Sequence, residues 1–279
     1  MLLNFDRYQR YKICSDLINA IKACKEAFSI LEVGSGGLQE LALFLPEDKI
    51  TFFDRSFPPN LAKRPEFVTG NAINLPFAAG SFDLVVSIDV YEHIPAQDRP
   101  VYLEELLRCA RRQILLAAPF ANGLVLVYEK LCYAYYKTLH SQEHPWLQEH
   151  LENGLPDLPA TIEFFTQRNW MVEVIPNGFL PHWLIMQVPY FLLLKNPSLK
   201  DLFVQLNAFY NQFCYPADNR EPAYRKILII CKDHRDLGPV LEAKRQILSA
   251  CSREPAIGNE EATLNYLVDS FWRLYLLLR

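Results

Sequence analysis

The sequence lacks several features that would each indicate a particular class of protein. No run of Lys and Arg is longer than a pair and the net charge is −4, so nothing provides an overall attraction for nucleic acid. The seven cysteines form no CxxC pair, which argues against a zinc knuckle and is typical of buried thiols in a reducing compartment. The first residues are charged where a signal peptide would have a long apolar core. We therefore expect a cytoplasmic protein with no nucleic-acid partner.

Long hydrophobic runs are also missing, although 51% of the residues are hydrophobic. The most apolar stretch, residues 179–194, contains Pro181 and Pro189 and is shorter than the roughly 20 residues that a membrane-spanning helix needs. No transmembrane segment is expected. Residues 262–279 predict a final helix with a broad apolar face. We expect it to pack on its own domain or in a homodimer, and a peripheral membrane contact is the alternative.

A glycine turn follows the first strongly apolar run of the chain. Residues 30–37 read ILEVGSGG, so a predicted buried strand runs directly into Gly34, Gly36 and Gly37. Glycine permits strained backbone conformations and a close approach of backbone to ligand. A helical pattern resumes at Leu38, and the first N–H groups of that helix would face whatever lies over the turn. The segment predicts a nucleotide-like ligand, although a tight turn without a ligand has the same pattern.

Two residues near the turn separate two classes of ligand. A dinucleotide site needs Gly or Ala three places after its second glycine, and Gln39 occupies that place. An acidic residue, Glu32, instead lies two places before the first glycine. A nicotinamide-dependent reductase is therefore the less favoured interpretation.

Further candidate ligand-binding residues follow later strands. The apolar run from Lys49 to Phe53 ends in Asp54, about 20 residues after the glycine turn, where an acid can bind ribose hydroxyls. Residues 70–95 then read GNAINLPFAAGSFDLVVSIDVYEHIP. This stretch contains Leu-Pro-Phe at 75–77, Ser-Phe-Asp at 81–83 and Glu-His-Ile at 92–94.

Together these motifs resemble those of the Rossmann-like (class I) S-adenosylmethionine-dependent methyltransferases, over about residues 30–120. The resemblance implies S-adenosyl-L-methionine as the cofactor. It also implies that the cofactor is bound by Glu32, Gly34, Ser35, Gly36, Asp54, Arg55, Asn71, Ala72 and Asp89.

Within that set, the resemblance implies that Glu32 and the glycines bind the methionine portion, Asp54 the ribose, and Asn71 with Ala72 the adenine. Asn71 replaces the usual acid, but its amide oxygen can still accept a hydrogen bond from the adenine amino group.

The order of predicted elements gives the fold. Strands alternate with helices up to residue 120, which indicates a parallel sheet with helices on both faces. Apolar runs at 171–175 and 226–232 predict an antiparallel hairpin that completes the sheet. We predict an α/β fold, a Rossmann-like, doubly wound, mostly parallel mixed sheet with helical insertions. A leading helix over residues 4–27 would pack on the sheet, and Tyr8 and Tyr11 on it either touch the ligand or only pack.

We expect residues 1–279 to form one methyltransferase domain. Its core comprises about residues 28–120, 160–180 and 224–233. The remaining parts are a lid insertion at 121–159, a helical insertion at 181–223 and a C-terminal helical tail at 236–279.

Histidines are the candidate reactive residues. His93 should lie at the carboxyl edge of the fourth strand, where it could take a proton from an acceptor hydroxyl, so we predict it as the catalytic residue; capping the next helix is the alternative. The lid carries His140, His144 and His150. Pro145 breaks any helix that would hold all three, so no metal is expected.

The predicted function is therefore methyl transfer by an enzyme. The aromatic and histidine side chains of the lid suit a small-molecule or glycan-type acceptor, and we expect O-methylation. The alternative is a non-catalytic methyltransferase-like binding subunit, which the replacement at Asn71 and the apolar tail would favour.

Overall fold

The computed structural model describes residues 3–22 and 27–251, and a seven-stranded sheet lies at its centre. The strand order is β3-β2-β1-β4-β5-β7-β6. Strands β1 to β5 run parallel to one another, whereas β7 runs antiparallel to both β5 and β6. The predicted α/β fold, a mostly parallel mixed sheet with a C-terminal antiparallel hairpin, is confirmed. The strands are β1 (Ser29–Val33), β2 (Lys49–Asp54), β3 (Phe67–Thr69), β4 (Phe82–Ile88), β5 (Ala110–Pro119), β6 (Met171–Phe179) and β7 (Ala223–Cys231).

Helices cover both faces of the sheet and fill the two long insertions. A short 3-10 helix, Tyr91–His93, follows β4. The α-helices are α1 (Phe5–Ile21), α2 (Glu40–Phe44), α3 (Arg99–Cys109), α4 (Gly123–His140), α5 (Pro145–Asn153), α6 (Leu158–Thr166), α7 (Leu180–Lys195), α8 (Lys200–Phe209) and α9 (His234–Cys251).

The central strands are apolar on both faces because helices cover both. Along β4, Leu84 and Val86 belong to the core on one face, while Val85 belongs to the core on the other. Successive side chains of a strand point to opposite faces. A strand that is buried on both faces therefore reads as a continuous apolar run, as parallel strands usually do.

Some element boundaries differ from those predicted. Helix α1 begins at Phe5 because the Asn4 side chain caps it by accepting from Arg7 N at 2.9 Å, and it ends at Ile21, well before residue 27. Strand β6 continues to Phe179, beyond the predicted end at residue 175. The predicted final helix at 262–279 lies outside the described residues.

The apolar stretch at 179–194 forms most of α7, which continues through Pro189. Among the helices of residues 3–22 and 27–251, none is long and apolar enough to cross a bilayer.

The carboxyl ends of the parallel strands place the candidate ligand-binding residues at one edge. Gly34 follows β1, Asp54 ends β2 and Asp89 follows β4. The chain order reverses between the neighbours β1 and β4, and such a reversal opens a crevice where ligands bind in open α/β sheets. Because β7 is antiparallel, its first residues reach the same edge, and Arg225 pairs with Pro119 there.

Candidate active site

A cavity of about 470 Å³ lies at this edge of the sheet. Ligand pockets commonly measure a few hundred Å³, so the cavity is large enough for a nucleotide-like ligand. Its walls come from the segments that follow β1, β2 and β4 and from helices α1, α5 and α7.

The glycine turn needs glycine at two positions for different reasons. Gly34 and Gly36 have φ angles of 83° and 63°, in the left-handed region that side chains disfavour. A Cβ added to Gly34 would lie 2.2 Å from Cγ2 of Val90, so the turn packs tightly there. A Cβ added to Gly36 would meet no heavy atom of the described residues within 4 Å. Gly36 thus leaves backbone open to the cavity.

Asp54 is fixed by backbone donors at the end of β2. Its Oδ2 accepts from Gly36 N at 2.7 Å, and its Oδ1 accepts from Arg55 N at 2.6 Å. An ionised carboxylate can accept about four hydrogen bonds, so both oxygens can still bind ligand hydroxyls. The open backbone at Gly36, the placed carboxylate and the cavity between them are compatible with a nucleoside cofactor such as S-adenosylmethionine.

Most of the predicted cofactor-binding residues line the cavity: Gly34, Ser35, Gly36, Asp54, Arg55, Ala72 and Asp89. Glu32 and Asn71 are not among the described residues of its wall. Asn71 is exposed, and its Oδ1 accepts from Ile73 N at 3.2 Å within a turn. The roles of all these residues in cofactor binding stay predictions.

Glu32 is buried against helix α1. Tyr11 OH donates to its Oε1 at 3.0 Å, and its other carboxylate oxygen has no hydrogen-bond partner in the described part of the chain. Burial raises the pKa of Glu32 to about 8. Tyr11 itself lines the cavity, whereas Tyr8 packs edge-on against Phe44 and Tyr215. The Tyr11 ring therefore occupies the wall where Glu32 was expected.

Asp89 joins three elements through one buried and one half-buried arginine. Its carboxylate accepts from Arg10 Nη1 at 2.6 Å and from Arg225 Nε at 2.6 and 2.8 Å. Arg225 is 1% exposed and also contacts Gln9 and Asp6 of α1. Burial alone would raise the pKa of Asp89, but the charges of Arg225 and Arg10 outweigh it and keep that pKa well below its usual range. Asp89 thus holds α1 against β4 and β7.

A pair of histidines forms another part of the wall. The Nε2 atoms of His93, after β4, and His150, on α5, lie 3.5 Å apart. His93 Nδ1 lies 2.8 Å from Oε2 of Glu149, and His150 Nδ1 lies 2.8 Å from Oε1 of Glu129. Asn153 Nδ2 also donates to the backbone oxygen of His93 at 3.3 Å. Helix α5 is therefore fixed on the residues that follow β4.

The environment of His93 favours a neutral imidazole. Burial lowers the pKa of His93, the facing His150 lowers it further, and Glu149 opposes both effects. Of the predicted lid histidines, His144 and His150 line the cavity, and burial lowers the pKa of His144 to about 4. His140 is not in the described wall, and its Nε2 lies 3.0 Å from the backbone oxygen of Phe191.

Several residues of the site were not predicted from the sequence. Arg10 and Arg225 line the cavity, as does Glu92, which had been noted only as part of a motif. Glu129 supports the wall through His150. A signal for Arg225 was available, since an antiparallel strand at 226–232 must begin at the carboxyl edge of its parallel neighbours. The partners of His93 gave no such signal, because they lie on a distant helix.

Comparison with known proteins bears on the same part of the chain. Residues 31–117 match the model of a family described as a methyltransferase domain. Norajmaline N-methyltransferase from Rauvolfia serpentina is 37% identical over 68 residues, which are 24% of this chain and 20% of that protein. The chain therefore matches about a fifth of the length of that curated relative.

Solved methyltransferase structures align with most of this chain at low identity. The plantazolicin methyltransferase BpumL, in complex with a triazolic desmethylPZN analog and SAH, has a TM-score of 0.50 and 14% identity, with 81% of this chain and 85% of that chain covered. Magnesium protoporphyrin IX methyltransferase from Synechocystis with bound SAH has a TM-score of 0.47 and 12% identity, with 81% and 84% covered.

The family match spans the strands that carry the glycine turn, Asp54 and Asp89. Residues 31–117 thus match a methyltransferase domain, which supports the predicted resemblance to the Rossmann-like (class I) methyltransferases and S-adenosylmethionine as the cofactor.

Proposed function

We propose that the protein transfers a methyl group from S-adenosylmethionine to a hydroxyl oxygen of a small-molecule or glycan-type acceptor. The observation that supports this most is the histidine pair, His93 and His150, in the wall of the cavity that also contains Gly36 and Asp54. When bound, the cofactor supplies a methyl group activated by its sulfonium, and the S–C bond breaks as the bond to the acceptor forms.

The histidine pair favours a hydroxyl acceptor over an amine. A neutral amine attacks with a lone pair that it already has, whereas a hydroxyl is a weak nucleophile until its proton leaves. The hydroxyl therefore loses its proton beside His93 and His150. His93 is also the residue that the sequence predicts as catalytic. Glu149 and Glu129 orient the two rings by bonding their Nδ1 atoms.

The remaining wall suits a polyhydroxylated acceptor with an apolar face. Trp146, Trp183 and Tyr190 line the cavity, and their rings offer flat surfaces of the kind that pack on sugar rings. Trp183 is buried, and its Nε1 has no hydrogen-bond partner among the described residues. Buried donors are nearly always satisfied, so this N–H supports the presence of an acceptor oxygen when substrate is bound.

The test is methylation of defined acceptors by the purified protein. We expect S-adenosylhomocysteine to form with a hydroxylated small molecule or sugar, and mass spectrometry of the product to show an O-methyl ether. General acid–base participation typically contributes 100-fold or more, so replacement of His93 by Ala should lower turnover by about that factor while cofactor affinity is kept. Products methylated only on nitrogen would overturn the proposed acceptor class.

The alternative is a non-catalytic binding subunit, and titration calorimetry distinguishes it. An enzyme of this class should bind S-adenosylmethionine or S-adenosylhomocysteine in the micromolar range. A folded protein that binds neither would favour the non-catalytic alternative. Membrane contact or dimerisation through residues 262–279 remains part of the sequence-based hypothesis, because those residues lie outside the described part of the chain.

A further inference from the structure

The histidine pair and a neighbouring carboxylate form a compact group of potential metal ligands. One donor atom each of Glu92, His93 and His150 lies within 4.8 Å of the other two. Glu92 and His150 are 2% and 6% exposed, and all three residues line the cavity. The group combines a segment after β4 with helix α5. The expectation of no metal concerned the three lid histidines, which Pro145 prevents from sharing one helix. Glu92, His93 and His150 are a different set, to which that argument does not apply.

The hydrogen bonds around the two rings leave their lone pairs facing each other. An ionised carboxylate can only accept hydrogen bonds, so Nδ1 of His93 must donate to Glu149 and Nδ1 of His150 must donate to Glu129. A neutral imidazole carries one proton, so both Nε2 atoms then have lone pairs, 3.5 Å apart. Two facing lone pairs repel each other unless a cation lies between them.

Glu92 adds a second, independent observation. Its Oε2 is buried and has no hydrogen-bond partner among residues 3–22 and 27–251. An unpaired buried carboxylate oxygen is costly, and such oxygens are normally satisfied by a donor or a metal ion. The carboxylate that carries this oxygen belongs to the same group of potential ligands as the two histidines.

We propose that Glu92, His93 and His150 bind one divalent transition-metal ion in the wall of the cavity. Two nitrogen ligands at about 2.1 Å from a shared ion lie roughly 3.0 to 3.4 Å apart. The 3.5 Å between the two Nε2 atoms is close to that separation. Two imidazoles and one carboxylate leave coordination positions open, as in catalytic metal sites, and suit Zn²⁺, Mn²⁺ or Fe²⁺ better than Mg²⁺ or Ca²⁺.

The surrounding contacts are those that metal-binding histidines usually have. Such histidines donate their other ring N–H to a carboxylate, which fixes the ring and makes it a better ligand. Glu149 and Glu129 supply these carboxylates, and Tyr224 OH donates to the same oxygen of Glu129 at 2.9 Å. The two rings are therefore held in place without the ion.

The role of the ion rests on the proposed O-methylation. An open coordination position in the cavity binds the acceptor's hydroxyl oxygen, and the positive charge lowers the pKa of that hydroxyl. The O–H bond breaks with its electrons left on oxygen, and the proton goes to solvent. With the ion bound, His93 would assist the loss of the proton as a metal ligand, and in metal-free protein His93 itself takes the proton.

The test measures metal binding without cofactor or acceptor. Protein freed of metal by a chelator is titrated with Zn²⁺ by calorimetry and with Mn²⁺ by electron paramagnetic resonance. We expect one ion per chain. His150→Ala and Glu92→Gln should each weaken binding tenfold or more, and Glu129→Gln, which removes only a supporting carboxylate, should weaken it by roughly 10- to 100-fold.

His140→Ala is the matched control, because His140 belongs to the same insertion and is not in the described wall of the cavity. It should bind the ion with wild-type affinity. Circular dichroism checks that each variant is folded. No binding by the wild type, or equal binding by the wild type, His150→Ala and Glu92→Gln, would overturn the proposed site.

The proposed site and the proposed function fail in different ways. If the ion binds as expected but no hydroxyl acceptor is methylated, the proposed function fails and the metal site stands. If metal-free protein methylates hydroxyl acceptors at an unchanged rate and no ion binds, the metal site fails and the proposed function stands.

Discussion

The backbone N–H of Gly36 donates to Oδ2 of Asp54 at 2.7 Å, which ties the turn after β1 to the end of β2. Both residues line the cavity. The carboxylate is therefore held in place by the same turn that leaves its backbone open to the ligand. The Asp54 side chain therefore fixes the conformation of the glycine turn and is also the group expected to contact the ribose.

The first prediction follows from this contact. Replacement of Asp54 by Asn removes the negative charge. It also places the side-chain NH₂ group against one of the two backbone N–H groups that donate to the carboxylate in the wild type. Hydrogen bonds to charged groups contribute about 1.5–3 kcal/mol, so the Kd for S-adenosylhomocysteine should rise roughly 10- to 100-fold in titration calorimetry. Asp16→Asn, on α1 and outside the described wall, is the control and should leave the Kd unchanged. Equal affinities of the two variants would contradict the prediction.

The second prediction separates backbone strain from packing at the glycine turn. Gly34 and Gly80 both have positive φ angles, 83° and 61°, but only a Cβ at Gly34 would clash, 2.2 Å from Val90. Ala at either position costs about 1–2 kcal/mol through the left-handed backbone. Gly34→Ala should therefore lower the free energy of unfolding clearly more than Gly80→Ala does, as measured by urea denaturation.

The clash at Gly34 can be checked by its removal. In the Val90→Ala background, which lacks the two methyl groups but keeps a Cβ 3.2 Å away, Gly34→Ala should cost clearly less than it does in the wild type. A cost of Gly34→Ala that is the same in the wild-type and the Val90→Ala backgrounds would show that strain alone explains the need for glycine there.

Local patterns predicted the part of the site that follows β1 and β2. The apolar run before Gly34 and the one before Asp54 each specify a strand, and parallel strands in a doubly wound sheet must end at one edge. That reasoning needs no knowledge of side-chain contacts. It therefore gave the position of the glycine turn and of Asp54 without giving their hydrogen bond.

Residues that meet through distant helices could not be predicted in this way. His150 reaches His93 because α5 folds back onto the segment after β4, where Arg99 also bonds the backbone oxygen of Gly154. Glu32 is buried because Tyr11 of α1 lies over it. Both arrangements depend on how a helix packs, and hydrophobic periodicity gives the face of a helix but not its partner.

The third prediction concerns the buried arginine of β7. Arg225→Met leaves Asp89 and Asp6 without one of their cations, and loss of one partner of a buried ion pair typically costs about 3–5 kcal/mol. Urea denaturation should show that loss. The control is Arg245→Met on α9, where the pair with Glu242 is exposed and a change within about 0.5 kcal/mol is expected. Similar losses in both variants would contradict a structural role for Arg225.

The last prediction concerns pH and Glu32. The pKa of this buried carboxyl is raised from 4.5 to about 8, so the folded protein holds its proton more tightly than the unfolded chain does. The favourable contribution of the protonated group is complete below about pH 4.5 and is lost as pH rises towards 8. Glu32→Gln keeps an oxygen that can accept from Tyr11 and cannot ionise.

The variant should therefore become more stable than the wild type as pH rises, by up to roughly 1.4 kcal/mol per pH unit over this window. Thermal unfolding without cofactor between pH 5 and pH 8.5 measures the difference. Because the other titrating groups are common to both proteins, their effects largely cancel in the comparison. Glu152→Gln, at an exposed position of α5, controls for the loss of one negative charge and should show no growing gap. A constant difference between Glu32→Gln and the wild type across the range would mean that Glu32 titrates as an ordinary carboxyl despite its burial against Tyr11.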